Sequence, residues 1–273
     1  MSTALDRAAL LDQLAGGVAA LTSSPAWRRY LDVQSRFHRY SFNNVLLIAA
    51  QRPEASLVAG FGAWRRLGRT VRRGERAIWI VAPLVSRTGS AEDRSERPIV
   101  RRFRFVPVFD VSQTEGEPLP EVCPRLEGDP PERYYRHLVD VARSAGFAVR
   151  EHRFGGSTNG DCSHPRRLIR IESAISPAQR VKTLAHEVAH ALLHEQFEDR
   201  ARAELEAESV AYVVCRVFGI DSGSYSFGYV ATWAGGGPEA LAGIRTSGER
   251  IHAAASGIVG SLGEVPAVVP GTR

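Results

Sequence analysis

Cysteine is scarce in this chain and badly placed for pairing: Cys123, Cys162 and Cys215 are odd in number, far apart and form no Cys-x-x-Cys pair. That excludes a disulfide framework and a cysteine zinc site. No apolar run approaches the roughly 20 residues a membrane helix needs, so no membrane partner is expected. The amino terminus breaks its leucines and alanines with Asp6, Arg7 and Asp12, as an amphipathic helix does and a secretion signal does not. A cytoplasmic location is expected by elimination. Lysine is nearly absent, Lys182 being the one example, so arginine carries the positive charge everywhere. There is no internal repeat.

What remains is an ordinary globular composition, 44% hydrophobic and 24% charged over 273 residues, long enough for two domains. The net charge of +5 is unevenly spread. Residues 1–120 hold 18 arginines against 11 acids, and the excess positive charge lies entirely in that part. Five prolines mark 115–131, an extended and semi-rigid composition. The expected organisation is α+β throughout: a small basic domain over 1–122, a Pro-rich linker over 123–131, a second domain over 132–262 and a disordered tail over 263–273.

The most specific motif lies in the second domain, at His186-Glu187-Val188-Ala189-His190. Ser176 and Pro177 supply a helix start, and Val181, Leu184, Ala185, Val188, Leu192 and Leu193 supply apolar packing up to about His194. Residues four apart on a helix have Cβ atoms roughly 5–6 Å apart on one face, so His186 and His190 can reach one metal ion. Glu187 borders its open side, placed to take a proton from a water that zinc acidifies to a pKa of about 7. The spacing is that of a zinc-dependent hydrolase, most often a peptidase, with one Zn2+ or another divalent ion. His194, one turn further, is expected to pack or face solvent.

A catalytic zinc needs a third protein ligand. A second helix around 202–212 offers Glu204 and Glu208 on one face, with Glu206 pointing elsewhere. Glu204 is the choice for ligand and Glu208, one turn on, for orienting a ligand histidine through its free ring nitrogen. Spacing alone leaves the reverse assignment open. Leu168-Ile169-Arg170-Ile171 alternates as a strand ahead of the motif helix, where a peptidase can hold an extended substrate by backbone pairing, although a plain structural strand is the more common reading. Tyr225, Tyr229 and His252 are candidate donors to an oxyanion.

In the basic domain, Arg65, Arg66, Arg69, Arg72, Arg73 and Arg76 crowd thirteen positions with Gly68 and Gly74. Arginine forks bind phosphate oxygens, and aromatic residues nearby, Tyr40, Phe42 and Trp64 among them, have faces on which unpaired bases stack. That combination points to single-stranded nucleic acid. In a chain so poor in lysine the same run also reads as a solvated face, and composition leaves the two even.

Three stretches resemble a known family: Tyr40-Ser41-Phe42-Asn43-Asn44; then Val58-Ala59-Gly60-Phe61 with Trp64, Leu67-Gly68-Arg69 and Arg73-Gly74-Glu75; then Val108-Phe109-Asp110-Val111-Ser112-Gln113-Thr114. They look like the amino-terminal domain of ArdC-type antirestriction proteins. The resemblance implies single-stranded DNA binding ahead of a zincin-like metallopeptidase domain. His186 to His194 and the helix from Glu204 to Ala211 are similar to that peptidase domain and to the ImmA/IrrE metallopeptidases. In those relatives the ligand glutamate falls where Glu204 stands. The expected function is single-stranded DNA binding joined to a zinc peptidase acting on an unidentified protein, in antirestriction or on a mobile element. The alternatives are an ImmA-like peptidase that cleaves a repressor and a non-enzymatic DNA-protecting protein with a structural metal.

Overall fold

The computed structural model of the chain describes residues 7–21, 23–86, 99–117, 130–196, 199–220 and 238–262. After helices α1 (Arg7–Ala20) and α2 (Ser24–Arg36), the first unit runs through α3 (Phe42–Gln51), β1 (Val58–Ala59), α4 (Phe61–Arg66), β2 (Arg69–Val71), β3 (Ile78–Ser86), β4 (Ile99–Asp110) and β5 (Thr114–Gly116). β3 and β4 pair antiparallel from Ile78↔Val108 outward, and β1 pairs with the other edge of β4. Side chains of α3 cover the outer edge of β3. Asn44 donates to Val81 O and accepts from Val81 N, both at 2.8 Å, and Gln51 does the same at Trp79, both at 2.9 Å. Two amides thus satisfy backbone groups that an open edge leaves bare.

Asp110 ties the first unit together. Its Oδ1 accepts from Ser56 N and Leu57 N at 2.8 and 3.0 Å, and its Oδ2 from Ser112 N at 2.9 Å. Gln113 completes the turn by accepting from Asp110 N and donating to Arg76 O and Glu75 Oε2. The Asp-Val-Ser-Gln stretch therefore shapes the arginine loop beside it.

The second unit contains α5 (Pro130–Ser144), β6 (Ala148–His152), β7 (Gly160–Ser163), β8 (Leu168–Glu172), α6 (Pro177–Leu193), α7 (Arg200–Val217) and α8 (Pro238–Gly260). β8 lies between β6, parallel to it, and β7, antiparallel to it. α6 packs on β7 and β8 and also on α7, burying Val181, Leu184, Ala185 and Val188. Ser176 caps α6 as expected, its Oγ accepting from Gln179 N at 3.3 Å with Pro177 in the first turn.

Packing departs from the expected boundaries at two places. Residues 16–42, inside the expected first domain, pack with the second unit. The reason is the apolar face of α2: Trp27, Tyr30 and Leu31 are buried, Trp27 Nε1 donates to Ser209 Oγ at 2.9 Å, and Tyr212 OH donates to Asp32 Oδ1 at 2.6 Å. Pro130 and Pro131 open α5 instead of closing a linker, since proline lacks only a donor that the first turn leaves unpaired anyway. Residues 123–129 and 263–273, the rest of the expected linker and the tail, lie outside the described residues, as do 118–122. No described helix is long and apolar enough to cross a membrane.

Candidate functional site

One turn of α6 separates His186 from His190, and their Nε2 atoms converge to 3.0 Å. Glu204, from the first part of α7, brings Oε2 to 3.3 Å from His186 Nε2 and 3.7 Å from His190 Nε2. Bonds of about 2.0–2.2 Å to a tetrahedral ion set ligand atoms about 3.3–3.6 Å apart, so three atoms at 3.0, 3.3 and 3.7 Å are spaced to share one ion. Among the described residues this is the one group of three such side chains. Glu208 lies behind: its Oε2 is 3.3 Å from His186 Nδ1, and its Oε1 is 3.4 Å from the ammonium of Lys182.

The electrostatics favour positive charge at this point. Burial opposes protonation of His186, yet the carboxylates of Glu204 and Glu208 outweigh it and raise the imidazole pKa to about 9. Glu204 is held far below the usual carboxylate range by hydrogen bonds to the two histidines. Glu187, 7% exposed, behaves oppositely. Burial pushes its carboxyl up to about 7, with His186 opposing and Glu204 and Asp161 adding to the rise.

β7 lies against Glu187 because residue 160 is glycine. A Cβ there would stand 2.6 Å from Thr183 Cγ2 and 3.1 Å from Glu187 Cγ. This corrects the expectation for the substrate strand. β8, the Leu168–Glu172 strand, is paired on both sides and has no edge to offer, whereas β7 is the edge strand next to the motif helix.

Two further residues lie behind this group. His194 stands with Nδ1 2.9 Å from His190 Nδ1, and its Nε2 is 3.2 Å from Glu206 Oε2. Glu206 does point away from Glu204 and Glu208, but into the protein, where it is fully buried among Arg202, Ser247 and Arg250. The His-x-x-x-His spacing repeated at 190 and 194 was the available signal for His194. His252 is not brought to this group: its ring lies beside His38 and Ser256, where burial and His38 lower its pKa to about 4. Tyr225 and Tyr229 lie outside the described residues.

The nucleic-acid residues divide. Trp64 is 0% exposed and donates Nε1–H to Phe109 O at 2.9 Å, in a core with Ala59 and Ala63. Phe42 is buried too, edge-on to Tyr30 and so close to α8 that a Cβ at Gly248 would overlap its ring. Neither has a face free for a base. Tyr40 is half-buried against Phe37, and burial raises its phenol pKa to about 12. Arg69 is spent on Thr114 and the 116–117 carbonyls, and Arg72 on Glu75 and Ser112 O. Arg65, Arg66, Arg73 and Arg76 are exposed, with no ion-pair or side-chain hydrogen-bond partner among the described residues. Nothing in the sequence marked Phe103, 67% exposed on β4 between exposed Arg102 and Arg104, while Phe61, another of the aromatics near the arginine run, is 48% exposed on α4.

Residues 10–111 match the family model of the N-terminal domain of anti-restriction factor ArdC, and residues 142–215 match a peptidase family model described as an IrrE N-terminal-like domain. Among solved structures the chain is similar to the antirestriction ArdC protein of the R388 plasmid. Identity is 22% over 82% of this chain and 85% of that one, with TM-scores of 0.52 for the metal-free form and 0.50 for the Mn(II)-bound form. It is also 23% identical, over 84% of its length, to an uncharacterized protein of Bacillus anthracis. The chain spans 46% of that relative.

Proposed function

We propose that the chain binds single-stranded DNA through its ArdC-type domain and carries a divalent-metal peptidase site in its IrrE-like domain, in the service of antirestriction. The convergence of His186 Nε2, His190 Nε2 and Glu204 Oε2 on one point supports the metal reading most directly. These three would hold the ion, with Glu208 orienting His186. Two nitrogens and one carboxylate suit zinc, and a related ArdC structure holds Mn(II). The ion, when bound, supplies an acidified water and polarises the peptide carbonyl.

Glu187 then accepts the water's proton as its oxygen attacks, and delivers that proton to the departing amine nitrogen. β7 pairs with the substrate backbone through its open edge, laying an extended chain along α6. In the first domain, Arg65, Arg66, Arg73 and Arg76 contact phosphates, while Phe103 and Phe61 replace Trp64 and Phe42 as the stacking aromatics.

The test is cleavage of an unstructured peptide mixture by zinc-loaded full-length chain and by its Glu187→Gln variant. The variant should keep zinc and DNA binding and lose about 10²–10⁴-fold in cleavage rate. Equal rates would remove Glu187 from the chemistry. Unimpaired DNA protection by the variant would favour a metal that serves only the fold.

A further inference from the structure

His190 has a second ring nitrogen, and its surroundings carry an inference that rests on the metal reading above. A histidine that gives its Nε2 lone pair to an ion carries its proton on Nδ1, and that proton needs an acceptor. The atom within reach is not a carboxylate or a carbonyl but His194 Nδ1, 2.9 Å away. For His194 to accept there, its own proton must sit on Nε2, which lies 3.2 Å from Glu206 Oε2. The chain of donors then has one consistent polarity, ending on a carboxylate.

That carboxylate is fully occupied. Glu206 Oε1 accepts from the Ser247 hydroxyl at 2.6 Å and from Arg202 Nε at 3.1 Å, while Oε2 accepts from Arg250 Nε at 2.8 Å as well as from His194. A fully buried carboxylate costs several kcal/mol to desolvate unless it is paired and hydrogen-bonded, and here both guanidinium groups and every accepting position are engaged. Arg250 also donates to Leu193 O, the last residue of α6, so α8 clamps the helix end beside His194. A salt bridge built only to hold α7 to α8 would need Arg250 alone; it would not need an imidazole aimed at a ligand's free nitrogen.

We propose that His194 and Glu206 are positioning residues of the metal centre, holding the His190 ring through Nδ1 in the tautomer and orientation that present Nε2 to the ion. The two ligand histidines are then tethered differently. His186 meets the carboxylate of Glu208 directly, and His190 meets that of Glu206 through an inserted imidazole. The insertion places the buried anion one ring further from the ion while keeping the ring fixed.

The experiment compares full-length wild type, His194→Phe, His194→Asn and Glu206→Gln by zinc affinity, measured against a chromophoric chelator, by the visible absorption of the Co2+-loaded forms, and by metal-free thermal melting. His194→Phe keeps a ring of similar size and removes both nitrogens. It should weaken zinc binding about 10–100-fold and alter the Co2+ band, with a metal-free midpoint near that of wild type. His194→Asn, which returns an amide near the Nδ1 position, should recover part of the loss. Glu206→Gln should lose affinity in the same direction, and should it fail to fold, the two His194 variants still decide. Zinc affinity of His194→Phe within twofold of wild type would overturn the relay alone. A wild-type chain that binds no zinc would overturn the metal reading and the relay with it.

Discussion

Trp64 and Phe103 show how much position outweighs residue type. Both are aromatic beside arginines, yet one is packed in the core of the first unit and the other stands on the surface of β4. Trp64→Ala should cost about 3–5 kcal/mol of stability, read by denaturant unfolding, and reduce DNA binding only by unfolding the unit. Phe103→Ala should leave the melting midpoint unchanged and weaken single-stranded DNA binding by about 1–3 kcal/mol, read by fluorescence anisotropy. Asp110 gives a pH signature at the same scale. Burial opposes its ionisation, but hydrogen bonds from Ser112, Ser56 and Leu57 prevail and hold its carboxyl below the ordinary value near 3.8. A group whose folded pKa is depressed stabilises above its unfolded pKa and loses that contribution as pH falls through the folded one. Stability should therefore drop below about pH 4, and Asp110→Asn should flatten that part of the curve in pH-dependent melting.

At the scale of elements, legibility followed locality. α6 was readable because Ser176, Pro177 and the four-residue spacing of apolar and metal-binding positions all lie within the helix. β7 was not: Gly160-Asp161-Cys162-Ser163 has no apolar alternation, and its strand geometry comes from pairing with β8 and from the missing side chain at 160. α2 was missed although Ser23 caps it and Pro25 lies in its first turn, and its packing partners, Ser209 and Tyr212, lie far along the chain. The burial of Glu206 escaped for the same reason, since Ser247 and Arg250 come from α8. Of the site, the residues within one motif or one helical face were legible, and those completed by a distant element were not. Gly160→Val should force β7 off α6 and abolish peptide cleavage while zinc stays bound, a split that cleavage assay and metal content together would reveal. Gly248→Ala, whose Cβ would overlap Phe42, should destabilise by about 1–3 kcal/mol in thermal or denaturant melting.

For the whole molecule, the charge divides as the chemistry is proposed to divide. The arginine excess lies before residue 120, and the carboxylates and histidines of the metal group lie between 186 and 208. Binding of the full-length chain to single-stranded DNA should fall with salt, log affinity declining by about 0.7 per phosphate contacted for each tenfold rise, with weaker binding to duplex. A peptidase site tethered to such a domain meets DNA-associated proteins at raised local concentration. The claim on which all of this turns is that α6 and α7 form one metal site, and calorimetric titration of the full-length chain with Zn2+ tests it most directly. One ion should bind per chain, binding should be lost in His190→Ala and strongly weakened in Glu204→Ala, and Glu187→Gln should bind as wild type does. Absence of binding to wild type, or undiminished binding to His190→Ala, would contradict it.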